Sequence, residues 1–343
     1  MSVSTPLAHT AGVRFALSFA PVAALLCACS SASPAPATSS QDDGGAGYVT
    51  SEDAGAPSTS PPVVPYDAGK VYAPAPDASA SSPNDDAGAD AGGSAADDSG
   101  SSAIPGWTLV WSDEFNGANG SPVDSTKWQH ETGGNNANDE LEYYSDSIEN
   151  SQQYGGNLVI TATSDGQGNY TSARINTAGL FSQQYGRFEA RAQLPYGQGI
   201  WPAFWMLGNN IDQVSWPACG EVDIMETIGT DVGENHGSLH SPGWDPTAVY
   251  PLPNGGSLAD AFHTYAVEWQ PGEIRFYVDD NLYETQDQSG APGGGWVFDD
   301  QPFFIIINVA VGGDWPGNPD STTVFPQKLL VDWVRVYKAA AGN

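Results

Sequence analysis

From residue 105 onward the chain is a succession of short runs of β-branched and aromatic residues, separated by clusters of Gly, Pro and Asn. Such runs are typical of strands, and amphipathic periodicity of helical length is hard to find. In the run at 187–194, apolar and polar residues alternate strictly, and Asp279-Asp280-Asn281 joins two other runs as a tight hairpin turn. The pattern predicts an all-β fold, a sandwich of two antiparallel sheets. The predicted strands are Trp107–Trp111, Asn157–Thr163, Arg187–Leu194, Glu221–Ile228, His263–Trp269, Ile274–Val278, Leu282–Thr285, Phe303–Val311 and Leu329–Tyr337.

The composition divides the chain into parts. Residues 29–104 are mostly Ala, Ser, Pro, Gly and Asp, and all eleven Trp lie beyond them. Because such a segment cannot bury enough apolar surface to offset the entropy of ordering, we expect a disordered linker there. Residues 105–343 have the size of one large all-β domain, and we expect them to fold as a single domain.

The N-terminus, residues 1–28, is expected to be a signal peptide. Its apolar stretch ends in Leu26-Cys27-Ala28-Cys29, which resembles a bacterial lipobox with acylation of Cys29. The alternative is an ordinary secretory peptide cut near Ala28 or Ala32. We therefore expect an exported protein, either secreted or held at the outer membrane or cell surface through a lipid on Cys29. Cys219 remains alone in the domain, so no disulfide is expected within it.

The net charge of -31 narrows the choice of partners. It argues against nucleic acid and against anionic membrane surfaces, and like charges also raise the cost of approach for an anionic polysaccharide. A neutral polysaccharide meets no such barrier. The charge by itself weighs only weakly between substrates, and we expect a monomer.

Three carboxylates lie in the apolar, β-favouring run Glu221–Glu226. Side chains alternate across a strand, so Glu221 and Asp223 share a face, and Glu226 joins them if one additional residue, Ile224 or Met225, forms a β-bulge. Burying three carboxylates together is costly, so this face should border a cleft or a cation. Two carboxyls facing each other across a cleft, about 5–5.5 Å apart, are what retaining glycoside hydrolysis needs.

Nearly the whole of 105–338 carries further motifs, in order: Trp111–Phe115, Glu140–Tyr144, Gly186–Arg191, Gly197–Gly208, Trp216–Pro217, Glu221–Glu226, His236–His240, Gly312–Gly317 and Val331–Tyr337. Together they resemble glycoside hydrolase family 16, in the bulged form found in laminarinase-like endo-β-1,3-glucanases of bacteria, with Met225 as the inserted residue. The resemblance implies a β-jelly roll with a concave substrate cleft. It also implies that Glu221 is the nucleophile, that Glu226 is the general acid/base and that Asp223 orients the nucleophile.

The resemblance also implies substrate-binding residues: Asn138, Arg174, Trp201, Trp205, Trp216, His240, Asn308 and Trp315. The four Trp suit the stacking of aromatic rings on pyranose faces, whereas Trp111, Trp269 and Trp333 are expected in the core. His240 is expected beside the scissile bond, and the pair His236 and His240 lacks the further ligands of a zinc site. The sequence of the segment Asn135–Asp139 differs from the family pattern, and we expect this difference to change the sugar contacts of the outer subsites.

No cofactor is expected for catalysis, but the family commonly holds a structural Ca²⁺. Glu114, the carbonyl of Gly156 and Asp332 match its ligands, and hard oxygen donors suit this ion.

The main functional hypothesis is an endo-acting retaining β-1,3-glucanase that also accepts β-1,3-1,4-glucan. Three alternatives stay open. The same machinery could act on a red-algal galactan, as agarases and carrageenases do. The covalent intermediate could be transferred to a sugar, which would make the protein a transglycosylase. A non-hydrolytic glucan-binding protein is disfavoured because Glu221, Asp223 and Glu226 are all present.

Overall fold

The computed structural model describes residues 104–134 and 137–340. The expected leader, Cys29, the linker up to residue 103, and Asn135 and Asn136 lie outside the described residues. Within the described part, no helix is both long and apolar enough to span a bilayer.

The described residues form eighteen strands, one short helix and four 3₁₀ turns. The strands are β1 Trp107–Asp113, β2 Gln129–Glu131, β3 Gly133–Gly134, β4 Glu142–Tyr144, β5 Ser151–Tyr154, β6 Asn157–Ser164, β7 Tyr170–Ser172, β8 Arg174–Asn176, β9 Gly186–Gln193, β10 Ile200–Gly208, β11 Glu221–Glu226, β12 Glu234–His240, β13 Thr247–Pro251, β14 His263–Gln270, β15 Glu273–Val278, β16 Asn281–Asp287, β17 Phe303–Val311 and β18 Gln327–Ala339. The helix is α1 Ile211–Val214, and the 3₁₀ turns are Ala137–Asp139, Pro253–Gly255, Gln288–Gly290 and Pro292–Gly294.

The strands make two sheets, as the alternating runs predict. One has the order β16-β15-β14-β9-β18-β6-β7-β4-β3, with β1 on β18 and β5 on β6, and the other has the order β13-β12-β11-β10-β17-β8-β2. Pairing is antiparallel except between β4 and β7. The predicted hairpin turn is confirmed, with positive φ at both Asp279 and Asp280, a backbone state that Asp tolerates and that matches the strand twist.

The core lies between the two sheets, and β17 shows how one strand serves both of its sides. Phe303, Ile305 and Ile307 are fully buried in the main core, whereas Phe304 and Ile306 pack on the opposite face of the sheet with Trp205. Burying such a side chain contributes about 1.5–3 kcal/mol. A strand that is buried on both faces is held firmly in place, and so are the later residues on its second face.

Of the three Trp expected in the core, Trp333 is the exception. Trp269 is buried in the core. Trp111 packs against the core, and its ring is stacked on that of Phe181 with the centroids 4.9 Å apart. Trp333 is half-buried and carries the guanidinium of Arg335 over its ring, 4.2 Å from the centroid. The expectation was wrong for Trp333, because the register of β18 shifts between Val331 and Trp333.

Candidate active site

The expected β-bulge is present in β11. On β10, the neighbours Trp205 and Phe204 pair with Asp223 and Met225, so that Ile224 has no partner there. The register on β12 shifts within the same segment, between Asp223 and Glu226. The resemblance placed the inserted residue at Met225, whereas this pairing leaves Ile224 as the additional one.

Both side chains within the bulge enter the core. Ile224 and Met225 are buried among the residues between the sheets. Glu221, Asp223 and Glu226 therefore share the other face, as the bulge requires.

A cleft of about 350 Å³ covers this face of the seven-stranded sheet. Its lining brings together all eleven predicted catalytic and substrate-binding residues. The lining residues are Asn138, Glu140, Arg174, Trp201, Ala203, Trp205, Trp216, Glu221, Asp223, Glu226, His236, Ser238, His240, Thr247, Asn308, Ala310 and Trp315.

Glu221 lies beside groups that favour its anionic form. The indole Nε1 of Trp216 donates a hydrogen bond of 3.0 Å to its Oε2, and His240 Nε2 lies 3.9 Å from its Oε1. Burial and the charge of Asp223 raise the pKa of Glu221 to about 8, against the opposing effects of His240, Arg174 and Trp216.

Fewer neighbouring groups stabilise the anion of Glu226 than that of Glu221. Trp201 Nε1 donates a 2.7 Å hydrogen bond to its Oε1. Burial, followed by the charges of Asp223 and Glu221, raises the pKa of Glu226 well above its ordinary value. More cationic groups stabilise the anion of Glu221 than that of Glu226. We therefore assign to Glu226 the one proton for which the two carboxyls compete. This is the division of states that retaining hydrolysis needs.

His240 supplies the positive charge in this acidic cluster. Its Nε2 lies 3.1 Å from Asp223 Oδ2, and its Nδ1 makes a 3.3 Å hydrogen bond with Asp245 Oδ1. Carboxylates thus face both ring nitrogens, which requires both to carry protons. Burial lowers the pKa of His240, but Asp223, Glu221 and Glu226 outweigh it and raise the pKa to about 10.

Glu221, Asp223 and His240 also bring one donor atom each within 4.8 Å of one another, a spacing that a metal ion could use. A metal ligand must offer a ring nitrogen without a proton. In the arrangement seen here both ring nitrogens of His240 face carboxylates instead.

The four predicted Trp surround the cleft in different states. Trp205 is largely buried, donates from Nε1 to Asn308 Oδ1 at 2.8 Å, and has Arg174 stacked 4.6 Å from its ring centroid. Trp315 is 38% exposed, and its ring meets that of Trp201 at a centroid distance of 5.4 Å. Trp315 therefore offers the most open aromatic surface of the four.

The predicted polar residues Asn138, Arg174 and Asn308 lie on one side of the catalytic strand, beyond β10. Arg174 Nε is 3.0 Å from Glu131 Oε2, so its charge is already paired. Asn138 has a positive φ and donates from Nδ2 to Glu140 Oε1 at 3.3 Å.

Several lining residues were not predicted from the sequence. Ser238 follows from alternation on β12, where it shares a face with His236 and His240, so that the signal was available. Thr247 is brought in only by the pairing of β13 with β12, opposite Ser238. Asp245 does not line the cleft but contacts His240 from the loop between β12 and β13, and no local pattern marks it.

The expected calcium ligands are engaged by arginines. Arg335 Nε and Nη2 donate to the two oxygens of Glu114 at 3.0 and 2.7 Å, and Arg191 pairs with Asp332. The oxygen donor set suits Ca²⁺ chemically, but in this arrangement it does not fit the ion, because Arg335 holds both oxygens of Glu114. Calcium binding stays a prediction that requires displacement of Arg335.

Cys219, close to Glu221 in sequence, is fully buried among apolar side chains. Burial and the charge of Glu221 raise the pKa of its thiol to about 12. A thiol in this state is a packing residue rather than a nucleophile.

Comparison with known proteins agrees with this geometry. The family model described as "Glycosyl hydrolases family 16" matches residues 135–335. A β-glucanase of Rhodothermus marinus is 44% identical over 69% of this chain and 87% of its own length. Glucan endo-1,3-beta-glucosidase A1 of Niallia circulans is 36% identical over 69% of this chain and 38% of its own. The laminarinase catalytic domain of Thermotoga maritima superposes with a TM-score of 0.64 at 46% identity, covering 68% of this chain and 99% of that one. With its two-sheet jelly roll and its bulged acidic strand, the chain belongs to glycosyl hydrolase family 16.

Proposed function

We propose that the protein is an endo-acting, retaining glycoside hydrolase that cleaves β-1,3-glucan of the laminarin type. One observation carries the proposal: the bulge in β11 sets Glu221, Asp223 and Glu226 on the floor of one open cleft. The relatives named as β-glucanase, endo-1,3-β-glucosidase and laminarinase support the choice of substrate.

The proposed reaction has two displacements. Ionised Glu221 attacks the anomeric carbon while protonated Glu226 gives its proton to the leaving glycosidic oxygen. A glycosyl ester forms on Glu221, and Glu226, now a carboxylate, takes a proton from the water that hydrolyses the ester. Asp223, next to the His240 imidazolium, keeps the nucleophile oriented.

The charge of the cleft supports a neutral substrate. Its floor holds the three catalytic acids, Glu140 lies at one side, and Arg174 is already paired with Glu131. A sulfated galactan would bring anions into this field without an unpaired cation among these residues to meet them.

The product profile of the full chain on laminarin, lichenan, agarose and κ-carrageenan tests the proposal. We expect rapid release of short β-1,3-oligosaccharides from laminarin and weaker attack on lichenan. Activity on a galactan without activity on laminarin would overturn the substrate assignment. Transfer products that dominate over free reducing ends would identify a transglycosylase instead.

A further inference from the structure

Glu142 is a buried carboxyl group that the proposed reaction does not use. It lies in β4 and is 1% exposed. Its Oε2 accepts a 2.7 Å hydrogen bond from the backbone N–H of Val311, whereas its buried Oε1 accepts no hydrogen bond of good geometry. A buried carboxyl oxygen without a donor is costly, unless the carboxyl itself carries the proton.

A second carboxyl provides the partner for that proton. Glu140, which lines the cleft, lies within hydrogen-bond reach of Glu142. Burial and the charge of Glu140 raise the pKa of Glu142 to about 8, despite the opposing N–H of Val311. Two touching carboxyls cannot both be ionised at low cost, so one proton is shared between them.

One chain of contacts runs from Glu142 to an aromatic wall of the cleft. Glu142 lies beside the buried phenol of Tyr144, whose pKa is raised by burial and by Glu142. Tyr144 Oη accepts from Asn308 Nδ2 at 3.0 Å. Asn308 in turn accepts from Trp205 Nε1 at 2.8 Å. The edge of Trp205 is therefore held by groups that end at Glu142.

A second chain of contacts runs to Trp315. Val311 is the last residue of β17, and Gly312–Trp315 follows it directly. This segment rests on the one before β4: Leu141 N–H donates to Val311 O at 2.8 Å, and Asp314 N–H donates to Asn138 O at 2.7 Å. The Glu142 carboxyl thus accepts a hydrogen bond from the last residue of β17, directly before the segment that carries Trp315.

We propose that Glu142 is a positioning residue which, in its protonated form, holds Trp205 and Trp315 in the geometry that binds the glucan chain. This inference rests on the proposed glucanase function, and Glu142 acts through the aromatic residues without touching substrate. The titratable groups that face it are Glu140 and Tyr144, with Arg174 beyond Tyr144, and β17 contributes the Val311 N–H. Loss of the proton would place two anions in contact and loosen both chains of contacts.

Binding tests the proposal in a background without turnover. Laminarihexaose is titrated into the full chain carrying Glu221→Gln from pH 6 to 9.5, followed by Trp fluorescence. We expect its Kd to rise about tenfold across the alkaline range, whereas adding Glu142→Gln keeps the neutral-pH Kd and removes the rise, because the amide donates permanently. Glu142→Leu should weaken binding about tenfold at pH 7. A Glu142→Gln chain that still shows the alkaline rise, or that binds as poorly at pH 7 as Glu142→Leu, would overturn the proposal.

A measurement without substrate separates this inference from the glucanase proposal. The folded chain holds the Glu142 proton more tightly than the unfolded chain, where the ordinary pKa is 4.5. The stability contributed by that proton is therefore complete below about pH 4.5 and lost as the pH rises towards 8. We expect the Tm of the wild-type chain to fall relative to that of Glu142→Gln over this range, whereas exposed Glu149→Gln follows the wild type. Parallel Tm profiles for wild type and Glu142→Gln would refute the inference, even if the reference chain bound no laminarihexaose.

Discussion

Each catalytic carboxyl accepts a hydrogen bond from one indole N–H group. Trp216 donates to Glu221 and Trp201 donates to Glu226, and each hydrogen bond stabilises the anion that accepts it. Both carboxyls nevertheless have a raised pKa, because burial and mutual repulsion are stronger than a single N–H. The cation of His240 lies nearer to Glu221 and Asp223 and so favours ionisation of the nucleophile first.

Replacing each indole by a phenyl ring tests this division. Trp216→Phe removes the N–H from Glu221 and should raise its pKa, which moves the acidic limb of the kcat/KM profile upward by roughly one pH unit. Trp201→Phe should instead move the basic limb upward, because the pKa of Glu226 rises further. The measurement is kcat/KM on laminarin from pH 4 to 10. Equal shifts of both limbs in either variant would contradict the assignment.

The catalytic roles themselves are tested by chemical rescue. Glu226→Ala should lose activity on laminarin, where the leaving sugar oxygen needs a proton. On an aryl β-laminaribioside whose phenolate leaves without a proton, azide should restore turnover by attacking the glycosyl ester on Glu221, which gives a β-glycosyl azide. Glu221→Gln should lower kcat by roughly 10⁴-fold or more without such rescue, while it still folds and binds glucan. The product's anomeric configuration is read by NMR. An α-azide from Glu226→Ala would exclude the retaining mechanism.

Among the secondary-structure elements, β11 decides the chemistry. Its bulge places Ile224 and Met225 in the core together and returns Glu226 to the face of Glu221. β10 and β12 flank it on either side, and their register absorbs the additional residue. β11 thus contains a local bulge, while β10 and β12 remain paired with it on both sides of that bulge.

Deleting Ile224 should make β11 a regular strand. Met225 and Glu226 would keep their partners Phe204 and Ala203, so the three carboxylates would stay in the cleft. Loss of a fully buried Ile should cost about 2–5 kcal/mol of stability, as should the control Ile224→Ala, which keeps the bulge. We expect activity within roughly 100-fold of wild type, the cost of a misplacement of about 1 Å. Thermal melts and laminarin assays check this, and an inactive but folded deletion would contradict it.

For the whole molecule, the two ends of the described domain are tied together. β1 pairs with β18, Trp107 opposite Ala339, and Arg335 of β18 holds Glu114 just after β1. Antiparallel pairing of the first and last described strands joins the two ends of the domain through backbone hydrogen bonds. The resemblance predicts calcium at the same place, and an ion there would have to compete with Arg335 for the Glu114 carboxylate.

Calcium addition shows which of the two prevails. If Ca²⁺ displaces Arg335, saturating ion should stabilise the domain by about 2.7 kcal/mol at 100 times its Kd, raising the Tm by several degrees. Glu114→Gln should abolish that rise, and Mg²⁺ serves as a control. Identical melts in Ca²⁺ and EDTA would leave the arginine pairs as the sole role of Glu114 and Asp332.

Export is the other prediction for the whole chain. We propose that residues 1–28 are removed, that Cys29 is acylated, and that residues 29–104 tether the catalytic domain. Cys29→Ser should then move the protein from the membrane fraction to the soluble fraction, measured by fractionation and immunoblot. Unchanged partitioning would reject the lipid anchor in favour of a secreted protein.

The fold class and the catalytic strand could be read from the sequence, because both depend on residues that are close together in the chain. Alternation places Glu221 with Asp223, and Asp279-Asp280-Asn281 forms the hairpin by its own backbone preferences. Alternation leaves Ile224 and Met225 both open as the additional residue of the bulge, and pairing with β10 selects Ile224, where the resemblance implies Met225. Trp333, expected in the core, is half-buried. Register between distant strands decides both.

Protonation states and side-chain support were decided only by the tertiary structure. The pKa of His240 is raised despite burial because acidic residues surround it, and Asp223 from a strand and Asp245 from a loop face its two nitrogens. In the sequence, nothing distinguishes Glu142 from an ordinary acidic residue beside a Tyr pair. In the structure, Glu140 and the end of β17 enclose it. Desolvation and charge repulsion depend on everything within a few ångströms, whatever its place in the chain, so no local pattern can report them.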